Sequence, residues 1–349
     1  MDDTTDPSRC ELLFAATHGD GARETVALRR STRRGQLVRV HQGAYARADD
    51  LRCLDERGRH VVLVRAVALG LADVCVVSHT SAAVLHDLPR VSPAVPDVVT
   101  VIDPRRTTTA RSTHLFRRPG LVPSRETVLG HGLCLTGLAR TAVDVSRTSP
   151  FADAVLCVDA VLRRLVLPHG HETGPDVVER LALHRAQLLE RIGDGSRPGD
   201  RAARRVVQFA SPWAENGGES LLRVLLFELG LSDVHLQRSF ASRGRFAGRC
   251  DAFLAKHGIA LEFNGLIKLA DPAMLAGRTP AEVVRDRGRR DRRLLESDEI
   301  EHVVHCEYLD VVQPRRLAEL LQGVGVRLDP RRVDSAARIA LRRFVGGPG

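Results

Sequence analysis

Lysine and asparagine are almost missing from this chain of 349 residues. Lysine occurs at Lys256 and Lys268 only, and asparagine at Asn216 and Asn264 only, so nearly all 52 basic residues are arginines. A GC-rich coding bias accounts for that preference, and it draws attention to Asn264 and Lys268, which stand in one motif. The seven cysteines are scattered and form no C-x-x-C pair. That pattern points away from a zinc site or a disulfide framework and toward free thiols. No apolar run approaches the roughly 20 residues that a membrane-spanning helix needs. The longest stretches, such as Val74 to Val77, are far too short. The N-terminus is acidic (Asp2, Asp3, Asp6) rather than the basic-then-apolar opening of a signal peptide. The expectation is a cytoplasmic protein with no membrane partner.

What is present is a net charge of +9, a pI near 9.8 and a normal 43% hydrophobic content. The charge favours a polyanionic partner, nucleic acid above all. The length suits two domains, or three small ones.

Residues 8–20 read as a short helix, and a second runs from Ala22 to Arg34 and stops at Gly35. Two short strands, Gln36 to Val40 and Ala44 to Ala46, flank a glycine turn and predict a hairpin. A basic helix followed by a hairpin is the recognition-helix-and-wing pattern. It makes residues 8–50 a candidate DNA-binding domain with Arg29, Arg30, Arg33, Arg34 and Arg39 on phosphates. An ordinary amphipathic helix with a solvated basic face fits those residues equally well.

Residues 51–167 read as mixed α/β, with helices over 55–72, from Ser78 to His86, from Thr136 to Arg147 and over 151–165. Strands are expected at 97–102 and 113–117. His79 and His86 share a helix face and read as packing residues. The glycine-, proline- and charge-rich stretch 168–210, around a helix from Pro175 to Ile192, reads as a linker.

The C-terminal third carries the chemistry. Glu219 opens an apolar helix that Gly230 ends. A strand over 234–240 precedes a hairpin whose arms are Arg249 to Leu254 and Ile259 to Asn264. If Leu254 pairs with Ile259, Asp251 falls opposite Glu262, with Cβ atoms roughly 4.5–5.5 Å apart. Carboxylates that close repel unless a cation lies between them. Glu262 and Asn264 share one strand face. Asp251, Glu262 and Asn264 are therefore candidate ligands for Mg²⁺ or Mn²⁺, with Glu219 as an accessory carboxylate and Lys268 as the activating cation of a phosphodiester hydrolase. Thr279, Pro280 and Glu282 form the capping pattern of a basic helix, from which Arg289, Arg290 and Arg293 are candidate DNA contacts. A strand over 300–308 and a helix from Pro314 complete an endonuclease-like domain at 211–325, and 326–349 reads as a tail.

These residues also carry a resemblance. Gly218-Glu219-Ser220, Arg249-Cys250-Asp251, Leu261-Glu262-Phe263-Asn264-Gly265 and Lys268 resemble the very-short-patch-repair-type endonuclease domain with a PD-(D/E)XK-like core (the DUF559 group). Asn264 stands where that group usually has aspartate, and Leu269 where it has an aromatic. Leu28-Arg29-Arg30, Arg34 to Val40 and Gly43-Ala44-Tyr45 resemble the winged-helix domain of AbiEi-type antitoxins of type IV toxin–antitoxin systems. Ser78 to Ala83 and Leu138 to Asp144 resemble the linking region of actinobacterial proteins of this two-part build. The resemblance implies an α/β (α+β) chain with a winged-helix-like N-terminal part and a restriction-endonuclease-type C-terminal fold. By analogy it implies a toxin partner. Three readings stay open: a Mg²⁺-dependent endodeoxyribonuclease, a DNA-binding regulator whose nuclease-like domain has lost its chemistry, and an interaction module without nucleic acid.

Overall fold

The computed structural model of the protein describes residues 6–15, 21–71, 74–91, 97–170, 172, 174–264 and 280–344. Over these residues the chain is α+β, with thirteen α-helices and three sheets. It divides into two compact units, Met1–Cys157 with Ala186–Gln208, and Val158–Arg185 with Phe209–Gly349.

The first unit opens with β1 (Leu13–Phe14), α1 (Gly21–Arg33), β2 (Leu37–His41) and β3 (Ala44–Arg47). The helix and hairpin stand where the sequence puts them. Residues 13–14, expected as part of a helix, instead form a strand, with Leu13 opposite Tyr45 and Phe14 opposite Ala44. The reason is that β3 needs a second neighbour: Ala44, Tyr45 and Ala46 are all buried, and β1 and β2 cover its two edges. After α2 (Ala48–Arg52) comes α3 (Glu56–Ala68), capped by Asp55, whose carboxylate accepts the Gly58 N–H at 2.7 Å.

Next are β4 (Val76–Val77), α4 (His79–Leu85), β5 (Val99–Asp103), β6 (Ala110–Arg111), β7 (Leu115–Pro119), β8 (Thr127–Gly130), β9 (Leu133–Thr136) and α5 (Leu138–Thr148). The six strands form one sheet in the order β6-β7-β5-β4-β9-β8, both parallel and antiparallel. Val61, Val64, Val99, Val101 and Leu135 make its core. The two motifs assigned to the linking region lie against each other here. His86 bonds the Thr136 carbonyl at 2.6 Å, and His79 Nδ1 lies 4.0 Å from Asp144. Burial pushes His79 down to about 3, so it stays neutral and packs, as expected. Ser78 does not cap α4 with its side chain; its hydroxyl bonds His79 Nδ1 at 2.9 Å.

The stretch expected as a linker is structured. It follows α6 (Phe151–Val166) and contains α7 (Pro175–Ile192) and α8 (Asp200–Phe209). Leu181, Leu188, Ile192, Ala203, Val206 and Val207 are buried, and Arg147 donates to the fully buried Asp200 at 2.8 Å. An apolar helix stripe demands a partner surface, and that demand overrides the loop-like composition of the flanks.

The second unit runs α9 (Gly217–Glu228), β10 (Val234–Ser242), β11 (Arg245–Leu254), β12 (Ile259–Asn264), α10 (Pro280–Leu295), β13 (His302–Glu307), α11 (Tyr308–Val312), α12 (Pro314–Gly323) and α13 (Pro330–Phe344). Its sheet has the order β10-β11-β12-β13, antiparallel except for the β12–β13 pair. The segment expected as a tail is therefore a helix. Ala336 and Ala340 of α13 are buried, and Arg343 pairs with Glu228 of α9 at 2.7 Å. No helix among the described residues is long and apolar enough to cross a membrane.

Candidate functional site

The hairpin register holds. Leu254 faces Ile259, Phe253 faces Ala260 and Ala252 faces Leu261. One step further lie Asp251 and Glu262, but there the regular ladder stops. The Asp251 carboxylate takes the place of a main-chain acceptor and receives the Phe263 N–H at 2.8 Å. On the other side of β11, the run of pairs with β10 skips Gln237 and Asp251.

Gln237 is the cause of that gap, and nothing in the sequence marks it. Its φ is +52°, in the left-handed region that a side-chain-bearing residue enters at a cost of about 1–3 kcal/mol. From that position its amide Nε2 donates to Glu219 at 3.0 Å and to Asp251 at 3.3 Å. Its Oε1 is buried and has no hydrogen-bond partner among the described residues.

Glu219 reaches the same place from the first turn of α9. Asn216 caps that helix by accepting the Glu219 N–H at 3.0 Å. The Glu219 carboxylate accepts from the Asn216 amide at 2.6 Å and the Glu215 N–H at 2.8 Å. Gly218 is required here because a Cβ would collide with the Phe263 ring. Glu219 is 4% exposed. Burial, together with the negative charge of Asp251, pushes its carboxyl up to about 7. Glu219, Asp251 and Gln237 thus form one cluster of oxygen-bearing side chains.

Glu262, also buried, turns to a different partner. Arg290 of α10 donates to its Oε1 at 2.8 Å and to the Arg249 carbonyl at 2.6 Å. Arg290, expected on DNA, is thus paired within the unit with its side chain still 42% exposed, while Arg289 and Arg293 are exposed. Asn264 lies 3.4 Å from His305, and His305 is paired with Asp291 at 2.9 Å. Lys268 and Leu269 lie outside the described residues. Among the described residues no group of three or more His, Cys, Asp or Glu is arranged to hold a metal ion. The cysteines are free, and burial pushes Cys250 and Cys306 up to about 12, which keeps both thiols protonated.

In the first unit Arg29, Arg30, Arg33, Arg34 and Arg39 are all exposed. A cleft of about 580 Å³ is lined by Arg29, Arg39 and Arg117 together with His41 and Tyr45.

Set against protein-family models, curated proteins and solved structures, the chain matches none.

Proposed function

We propose that this chain is a DNA-binding protein whose second unit is a metal-dependent endonuclease-like domain, and whose first unit opens with a winged-helix-like module. The observation that supports it best is the meeting of Glu219, Asp251 and Gln237 at a break in the sheet. Two carboxylates and an unpartnered amide oxygen are the hard oxygen donors that Mg²⁺ or Mn²⁺ prefers. Burial, and after it the nearby Asp251 charge, raise Glu219, and a cation between the two carboxylates would favour the ionised form. A divalent cation bound there supplies Lewis acidity toward a phosphodiester. Asn216 and the Glu215 N–H orient Glu219, the Phe263 N–H orients Asp251, and Gln237 holds the two at a fixed spacing. The exposed arginines of α1 and α10 bind the DNA backbone.

Two observations favour a second reading, a regulator of the type IV antitoxin kind with a retired nuclease site. Arg290 already neutralises Glu262, and Asn264 offers an amide to His305 where the resembling group has a carboxylate.

The test is nicking of supercoiled plasmid with Mg²⁺ or Mn²⁺ by wild type, Asp251→Ala and Glu262→Ala. Nicking that needs the metal and Asp251 supports the nuclease. Nicking that survives Asp251→Ala sinks the assignment of the site. No nicking together with salt-sensitive DNA binding favours the regulator.

A further inference from the structure

The cleft of the first unit, about 580 Å³, falls within the roughly 300–1,000 Å³ of small-molecule sites. Its basic part is Arg29 of α1 and Arg39 of β2, neither of which has an ion pair among the described residues. Arg117, the third arginine of the lining, is already committed to Asp103 at 3.0 Å. The apolar part is Val67 in the last turn of α3, Leu71 just beyond it and Leu115 of β7. Between Arg39 and His41 the β2–β3 ladder slips by one residue, from Arg39 opposite Tyr45 to His41 opposite Ala44. A bulge of this kind re-aims the side chains beside a site. His41 Nδ1 is buried and has no hydrogen-bond partner among the described residues. A buried polar atom in that state is destabilising until a ligand or water satisfies it. Burial, and after it the charge of His114, lowers the His41 pKa, so at neutral pH the ring is uncharged and has both a donor and an acceptor nitrogen.

Two cations without counterions, an apolar wall and an unpartnered ring nitrogen call for an amphipathic anion. It has a negative group at one end and a flat heterocyclic body with a hydrogen-bonding edge at the other. We propose that this cleft binds a nucleoside monophosphate, with its phosphate on Arg29 and Arg39, its base against Val67, Leu71 and Leu115, and the base edge satisfying His41 Nδ1. A guanidinium matches the phosphate oxygens in geometry as well as charge. The site goes beyond the DNA-binding reading, yet it draws on Arg29 and Arg39, which that reading places on DNA. A bound nucleotide therefore opposes the binding of DNA.

The full chain is titrated by calorimetry with AMP, adenosine and inorganic phosphate, and its affinity for a labelled duplex is measured on the same preparation. AMP is expected to bind at least ~10-fold tighter than either adenosine or phosphate, because only AMP engages both parts of the cleft. Arg29→Ala and Arg39→Ala change exposed side chains, so the fold is kept, and each is expected to weaken AMP ~10-fold. Thr25→Phe, at a half-buried position of α1 in the lining, is expected to block AMP while every arginine stays in place. Absence of AMP binding, AMP no tighter than inorganic phosphate, or the same AMP affinity in all three variants overturns the site. Duplex binding that persists when AMP does not bind overturns the site alone. AMP binding by a chain that does not bind duplex overturns the DNA reading alone and leaves the site standing.

Discussion

Glu219 shows how one residue's surroundings set its chemistry. A solvated glutamic acid titrates near 4.5, whereas Glu219 is raised to about 7. Between those values the folded protein binds more protons than the unfolded chain, so stability falls as pH rises through that window and levels off above it. We predict that Glu219 contributes a loss of about 1–3 kcal/mol between pH 4.5 and 8, seen as a falling urea midpoint. Glu219→Gln should remove that pH slope whatever its effect on absolute stability. Mn²⁺ should flatten the slope in wild type only. If Glu219→Gln keeps the wild-type slope, the raised carboxyl belongs elsewhere. Gln237 belongs at this scale too: it serves two acids at once from a strained backbone, and its contribution depends on geometry rather than residue type.

At the scale of elements, α1 and α10 look alike as strings of arginine and differ in how they are used. In α1 the arginines at 29, 30 and 33, with Arg34 just past its end, are all solvent-facing. Replacing Arg33 and Arg34 together by alanine should weaken binding to every DNA sequence alike and lower the salt slope by about 2. Binding curves taken across a range of salt check this, and unchanged curves would remove α1 from the interface. In α10 the helix turn divides the arginines. Leu294 is fully buried, Arg290 faces Glu262 across the sheet, and Arg289 and Arg293 point outward. A charge count on the sequence cannot separate these roles, because only the packed face of the helix shows which arginine meets a carboxylate.

At the scale of the whole molecule, each unit is assembled from separate pieces of chain. In the second unit this discontinuity is secured by a buried ion pair: Arg223 Nη2 of α9 donates to both oxygens of Asp159 of α6 at 2.9 and 2.8 Å. The same guanidinium donates to the Phe209 carbonyl at 2.7 Å and lies 4.1 Å from the Phe209 ring centroid. Asp159→Ala would leave a buried cation without its carboxylate. We expect a destabilisation of about 3–5 kcal/mol, measured by urea denaturation. A change under about 1 kcal/mol would mean that the segments are joined by apolar packing alone.

The sequence alone determined the longer helices and strands, because periodicity and caps are local, whereas the short strands β4, β6, β8 and β9 and the helix α8 were not read from it. The limits of α7, the Leu254–Ile259 register and the helix-then-hairpin at the N-terminus were all legible there. So were Asp251 and Glu262 as the residues to watch, since a carboxylate on a strand beside another is visible from spacing, while Glu219 was marked only by its place at the start of a helix and by the family resemblance. Three matters were decided only by tertiary structure. Residues 13–14 became a strand because β3 had an open edge, and α8 of the apparent linker and α13 of the apparent tail became helices because their apolar stripes found cover. The carboxylates sorted themselves, Asp251 toward Glu219 and Glu262 toward Arg290, through side chains that are distant in sequence. Gln237 was invisible beforehand, because a left-handed φ in mid-strand leaves no trace in residue type and is imposed by what the folded site requires.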